Sequence, residues 1–163
     1  MTRVGLALGS NIGNRLDHLG AAVERLQAIR SGDHWLGSFI YETAPINCPP
    51  GAESFLNAVV EFDTTLDLLA FHDATLAIEA ALGRPERRPR HAPRPIDLDI
   101  LYFGDLHLES DQLTLPHPRI HEREFVLRPL ADIRPDLVDL TQLAATVDPE
   151  HPLQRFRRTR LSP

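Results

Sequence analysis

The stretch Arg90–Gly104 reads RHAPRPIDLDILYFG. Within it Asp97 and Asp99 alternate with Ile96, Leu98 and Ile100. Alternation with period two is the signature of a β-strand, in which residues i and i+2 share a face. The isoleucines and the leucine then form a buried face, and the two carboxylates stand side by side on the other. Leu101-Tyr102-Phe103 continues the strand and Gly104-Asp105 turns it. Two anions on one face repel, and a run of arginines leads straight into them.

That basic run is local. Gly83–Arg94 holds Arg84, Arg87, Arg88, Arg90 and Arg94 against the single Glu86, yet the formal net charge of the 163-residue chain is -6. An acidic body with one basic loop fits a small polyanionic ligand better than a long nucleic acid. All 17 basic residues are arginine. Mechanisms that need a lysine, such as a P-loop or a Schiff base, are therefore excluded, and any phosphate clamp must use guanidinium forks. Apolar residues make up 42% and charged residues 25%, as in an ordinary globular protein. Cys48 is the single cysteine, so no internal disulfide forms. The start, MTRVGLALGSN, is too short an apolar run for a signal peptide, and no stretch matches a membrane span. These features point to a cytoplasmic protein with no membrane or nucleic-acid partner.

Working outward, Val4–Leu8 reads as a strand closed by turn residues Gly9-Ser10-Asn11. Leu16, Leu19, Val23, Leu26 and Ile29 recur at helical spacing. Trp35–Tyr41 and Phe55–Asp63 read as strands on either side of the proline-rich loop Thr43–Gly51. Asp67 caps a helix whose apolar face is Leu68, Phe71, Thr75, Ile78 and Leu82, ended by Gly83. After the Asp97/Asp99 strand come a turn, a short strand near Leu106–Leu108, the polar loop Thr114–Arg123 and a helix over Phe125–Ile133 that includes Pro129. The order is βαββαβ with C-terminal additions. It predicts an α+β, ferredoxin-like sandwich, residues 1–163 as one domain, helices on one face of an antiparallel sheet and the aspartate face open. The Pro- and Arg-rich tail from about 149 is expected to be loosely ordered.

On residues alone the aspartate pair has three readings: a shared-proton acid–base pair, a solvated polar face, or a Mg²⁺ site completed by phosphate oxygens and water. Arg84 and Arg94, at the ends of the basic loop, are the arginines best placed to hold phosphate. Asn57 inside an apolar strand needs polar partners, whereas Phe55 and Phe125 fit either core or a stacking pocket. His117 and His121 are spaced as a zinc pair, but no third ligand is evident.

The stretch Pro93–Leu101, PRPIDLDIL, resembles the signature of the 6-hydroxymethyl-7,8-dihydropterin pyrophosphokinase family of folate biosynthesis. GLALGSNIGNR near the start, YETAPI, FLNAVVEFDT and LPHPRIHEREFVLRPL resemble the family in the same order, over roughly Val4–Leu137. The resemblance implies transfer of diphosphate from ATP to the pterin hydroxymethyl group with release of AMP, by a monomer acting on small molecules. It implies two Mg²⁺ ions on Asp97 and Asp99. Arg84, Arg94, His117 and Arg123 would hold the ATP phosphates, and Glu79, Ile100 and Thr114 would lie near the nucleotide. Phe55 and Phe125 would sandwich the pterin ring. Asn57, Asp97 and the backbone at Thr43 and Ile46 would meet its polar edge. Arg84, Arg94, Asp97 and Asp99 would carry catalysis. His91-Ala92 and Pro95 depart from the family pattern in the basic loop, and PPGAES departs from it before Phe55. The competing reading is a ferredoxin-like nucleotide- or RNA-binding module without catalysis.

Overall fold

β1 (Thr2–Ser10) lies in the middle of a six-stranded antiparallel sheet, between β4 (Phe55–Thr64) and β5 (Asp97–Phe103). The structure is a computed structural model that describes residues 1–44, 51, 53–84 and 94–163. β3 (Phe39–Thr43) pairs with one half of β4, and β2 (Trp35–Gly37) pairs with the other half. β6 (Leu108–Glu109) and β7 (Thr114–Leu115) form a separate two-stranded sheet, and the main order is β5-β1-β4-β3-β8, where β8 is Gln154–Arg160. The first four of these strands have the arrangement of a ferredoxin-like βαββαβ sandwich.

The expected single strand over Trp35–Tyr41 is split at Ser38. Its buried hydroxyl accepts from the Val59 N–H at 2.9 Å and donates to the Phe39 carbonyl at 2.7 Å. A side chain thus replaces one rung of the ladder and lets the strand change course.

α1 (Arg15–Leu26) and α2 (Leu68–Ala81) cover one face. Both begin where capping chemistry places them: Asn14 accepts from the Asp17 N–H, and Asp67 from the Ala70 N–H. Their apolar sides meet Val4, Leu6, Leu8, Leu56, Val60, Phe62, Leu98, Ile100 and Phe103 in the main core.

The other face is not bare, which corrects the expectation of helices on one side only. α3 (Glu124–Ile133) packs there, with Val126, Leu127, Leu130 and Ile133 against Val59, Leu101 and Tyr102. α4 (Leu140–Ala145) adds Leu143 to the same cluster. A bulge makes this second core possible. Leu6 pairs with Ile100 but Gly5 pairs with Tyr102, so β5 gains one residue against β1. Tyr102 thereby switches to the α3 face and lies over Gly5, where a Cβ would stand 2.3 Å from the ring. Its hydroxyl donates at 2.5 Å to the fully buried Glu61, which also receives Arg134 at 2.6 Å and His34 at 2.9 Å. A buried carboxylate is tolerable because donors surround it. They hold its pKa below the ordinary glutamate range against the opposing effect of burial.

The C-terminal tail differs from its expected loose order. Gln154–Arg160 adds to the edge of β3, and Arg155 stacks on Phe39 at 3.8 Å from the ring centre. Composition hid this, because cation–π stacking lets arginine act as a covering side chain. The Leu161 N–H then donates to the Ser38 carbonyl at 2.8 Å. A methyl group at Gly37 would come within 1.7 Å of the Leu161 carbonyl oxygen. Gly37→Ala is therefore expected to destabilise the protein by about 1–3 kcal/mol, seen as a lower denaturant midpoint. An unchanged midpoint would contradict this seating of the C-terminal strand.

Candidate active site

Three strands put the polar residues in a row. Gly9 pairs with Asp97 of β5 on one side and with Asn57 of β4 on the other, and Asn57 pairs with Tyr41 of β3. Paired residues share a face, here the α3 face, at the end that α3 leaves uncovered. Gly9 provides the open floor between Asp97 and Asn57. A Cβ there would stand 3.3 Å from the Asn57 side-chain oxygen. Asn57 is buried, and its amide nitrogen donates to the Thr43 hydroxyl. Thr43 pairs with Phe55 in the next rung.

Asp97 is held from two directions. Arg84 Nη1 donates to one carboxylate oxygen at 2.6 Å, and Arg94 Nε lies 3.1 Å from the other. The ends of the basic loop thus converge on one carboxylate. Asn11 fixes Arg94 in turn. Its side-chain oxygen accepts from the Arg94 N–H at 2.8 Å, and its own N–H donates to the Arg94 carbonyl at 3.2 Å. The Arg94 guanidinium also lies over the Phe55 ring at 5.6 Å, and that of Arg123 lies over Phe125 at 5.4 Å.

Asp99 faces the same way, two residues on. Burial and the neighbouring Asp97 charge push its pKa above the ordinary aspartate value. His117 sits beside it, and burial lowers the imidazole pKa although Asp99 opposes this. The Arg119 backbone N–H donates to His117 Nδ1 at 3.1 Å. That bond selects the neutral tautomer with its proton on Nε2, free to donate to an anion.

A cleft of about 310 Å³ opens beside Asp99, lined among others by Glu79, Arg84, Asp99, Ile100, Thr114 and His117, while Phe55, Asn57, Arg94, Asp97, Arg123 and Phe125 lie outside its lining. Five of them were expected to bind ATP, and Asp99 to hold Mg²⁺. Ile100 contributes main chain, because its side chain is buried in the core. The Leu98 N–H points away from β1 to Glu79 at 2.6 Å, and with period two the Ile100 amide faces outward as well. A larger cavity of about 960 Å³ lies at the far end of the sheet, but no expected site residue lines it. Its two arginines are already paired, Arg3 with Asp63 and Arg134 with Glu61 and Asp136. The smaller cleft is the one with chemistry.

Some expected features lie outside the described residues: Ile46, Cys48, Arg87, Arg88, Arg90 and the His91-Ala92 departure. Others were missed by sequence reasoning. Gly9 and Ser10 belong to β1 and not to the turn expected at Gly9-Ser10-Asn11, and the strand pairing shows Gly9 opening the floor while Asn11, just beyond the strand, ties down Arg94.

The family described as 7,8-dihydro-6-hydroxymethylpterin-pyrophosphokinase matches residues 5–135. The chain belongs to this family. It is 44% identical over 138 residues to the 2-amino-4-hydroxy-6-hydroxymethyldihydropteridine pyrophosphokinase of Methylorubrum extorquens, covering 85% of this chain and 86% of that one. The enzyme of the same name from Bacillus subtilis is 45% identical over 128 residues, covering 78% of this chain and 75% of that one. A mitochondrial folate synthesis bifunctional protein of Arabidopsis thaliana is 41% identical over 136 residues, which are 82% of this chain but 24% of the longer protein. Among solved structures, Plasmodium falciparum HPPK-DHPS wild type with SDX-DHP shares the fold at a TM-score of 0.63 and 16% identity, covering 90% of this chain. This chain spans 44% of that longer one.

Glu79 gives this pyrophosphokinase-family site a measurable pH signature. Burial raises its pKa from 4.5 to about 7, although the Leu98 N–H and Arg84 pull it down. The folded state therefore binds this proton more tightly than the unfolded chain. Its contribution to stability is complete below 4.5 and is lost as pH rises through 7. Glu79→Gln removes that loss. The stability of the variant relative to the parent is expected to increase between about pH 5 and about pH 8 in denaturant melts. A pH-independent difference would contradict the assignment.

Proposed function

We propose that this protein transfers diphosphate from ATP to the hydroxymethyl group of 6-hydroxymethyl-7,8-dihydropterin, releasing AMP, as a step of folate biosynthesis. The observation that carries this reading is the row Asp97–Gly9–Asn57. It sets an amide-lined, aromatic-flanked edge beside a carboxylate and guanidinium cluster on one sheet face. A pterin is a flat ring with a donor–acceptor edge, and Asn57 can donate and accept at once. Phe55 and Phe125 offer ring faces, with Thr43 and Asp97 completing the acceptor side; Ile46, outside the described residues, is assigned to it by the family resemblance alone. Glu79, Ile100 and Thr114 hold the nucleoside. Arg84, Arg94, His117 and Arg123 receive the phosphates.

The aspartates suit Mg²⁺. Among the described residues no cluster of three metal-ligating side chains forms. Two carboxylates with the remaining positions left to phosphate and water is the hard-oxygen arrangement that Mg²⁺ favours. The raised pKa of Asp99 is what an uncompensated anion beside Asp97 should show. Asp97 and Asp99 would hold two such ions, which supply charge neutralisation at the ATP phosphates.

The chain's own residues do the positioning. The substrate hydroxyl oxygen attacks the β-phosphorus in line, the bond to the α,β-bridging oxygen breaks, and AMP departs with that oxygen. The hydroxyl proton leaves to water, since Asp97 would be occupied in holding the metal. Arg84 and Arg94 stabilise charge on the transferring group. Burial keeps His117 neutral, so it donates Nε2–H without adding charge. The reading places the enzyme in the cytoplasm as a monomer, with its single cysteine unpaired.

Incubation with Mg-ATP and the pterin should give pterin-dependent AMP. ADP in its place would overturn diphosphate transfer. Asp99→Ala should lower kcat by at least about a thousandfold while pterin binding, measured by calorimetry, changes far less. Full activity in that variant would overturn the metal assignment.

A further inference from the structure

We infer that Arg15, Glu42 and Ser54 form a polar clasp that positions the acceptor edge of the site from behind the sheet, making Arg15 and Glu42 positioning residues for the pterin. The inference rests on the reading of Thr43, Phe55 and Asn57 as the pterin side. One nitrogen, Arg15 Nη1, reaches Glu42 Oε1 at 3.0 Å, the Ser54 carbonyl at 2.6 Å and the Ser54 hydroxyl at 2.6 Å. The Ser54 hydroxyl donates to Glu42 Oε1 at 2.5 Å. Each member thus touches both of the others.

The clasp grips a vulnerable place. Glu42 pairs with Leu56, whose side chain belongs to the α1/α2 core, so Glu42 points to that layer. Thr43 and Phe55 form the neighbouring rung and point to the site. Theirs is also the final rung of the β3–β4 ladder. The end rung of a ladder frays most readily, and here it carries a ring and a hydroxyl that must be aimed. Fixing Glu42 and Ser54, each one residue away from that rung, fixes the rung. The anchor is firm, because α1 buries Leu19, Ala22, Val23 and Leu26 in the main core.

Charge placement supports this. Arg15 is the first residue of α1, where the helix dipole disfavours a cation. Folding alone offers no reason for arginine there, and Glu42 supplies one. Hydrogen bonds from Ser54 and Arg15 hold the Glu42 pKa below its ordinary value despite burial, so the carboxylate is ionised at neutral pH. The pair joins residues 27 positions apart and faces away from the site, so it makes no contact with substrate.

The test is steady-state kinetics with both substrates varied, on Arg15→Met, Arg15→Lys, Glu42→Gln and Asn57→Ala, each also melted to confirm folding. Arg15→Met and Glu42→Gln should raise the pterin KM about tenfold, with the ATP KM and kcat within about twofold of the parent. Arg15→Lys supplies an ammonium with three N–H donors to the acceptors that Arg15 Nη1 reaches, and should recover most of the pterin affinity. A purely structural role would shift both KM values together or shift neither, and either result overturns the clasp. If Asn57→Ala raises the pterin KM and Glu42→Gln does not, the clasp alone fails. If neither raises it, the placement of the pterin fails as well. Should Arg15→Met not fold, Glu42→Gln with Arg15→Lys decides the question by the same criteria.

Discussion

β1 is hydrogen-bonded along its length to β4 and β5, and that double register is the constraint on which the site depends. It brings Asp97, Gly9 and Asn57 abreast although they are far apart in the chain. A slip of one residue on the β5 side would turn the aspartates into the apolar core and bring leucines out to the site, and a slip on the β4 side would turn Asn57 inward. Such a slip is strongly opposed, because Val4, Leu6 and Leu8 are fully buried against α1 and α2. Core packing and site geometry are therefore set by the same pairing.

The electrostatics follow from that geometry. Asp97 and Asp99 raise each other's energy as anions, and the structure supplies arginine where the repulsion is greatest. Arg84 bridges Asp97 and Glu79, while Arg94 reaches the other side of Asp97 and covers Phe55. Each guanidinium thus serves a carboxylate and a second partner. A planar cation can do this with little loss of freedom, whereas a point charge such as lysine cannot. In a chain without lysine, pairing with carboxylates and covering aromatic rings fall to the same kind of side chain, and Arg94 does both.

Much of this was legible in the residues. The period-two pattern around Asp97 and Asp99, the helical spacings and the Asp67 cap placed the strands and the first two helices within a few positions. Of the residues the family resemblance named, Glu79, Arg84, Asp99, Ile100, Thr114 and His117 line one cleft. Three things were not legible, each for a physical reason. The bulge at Leu101 depends on Tyr102 finding Glu61, a partner 41 residues away. The C-terminal strand is hidden by its arginines, whose apolar stems and flat heads cover aromatic rings in place of hydrophobic side chains. The roles of Gly9, Asn11 and the Arg15–Glu42 pair lie in tertiary pairing, which leaves no local period to detect.

β5 is the outermost strand of the sheet on its side, and at Ile100 it presents main chain to the cleft while the side chain is buried. An amide and a carbonyl are the same whatever residue carries them. Mutational drift at such a position is limited by the oil-like core behind it and not by the ligand in front. Two relatives could thus differ in the letters lining the cleft and still offer a ligand the same surface. In this part of the protein, a census of amino-acid identity would understate how much of the binding surface is shared.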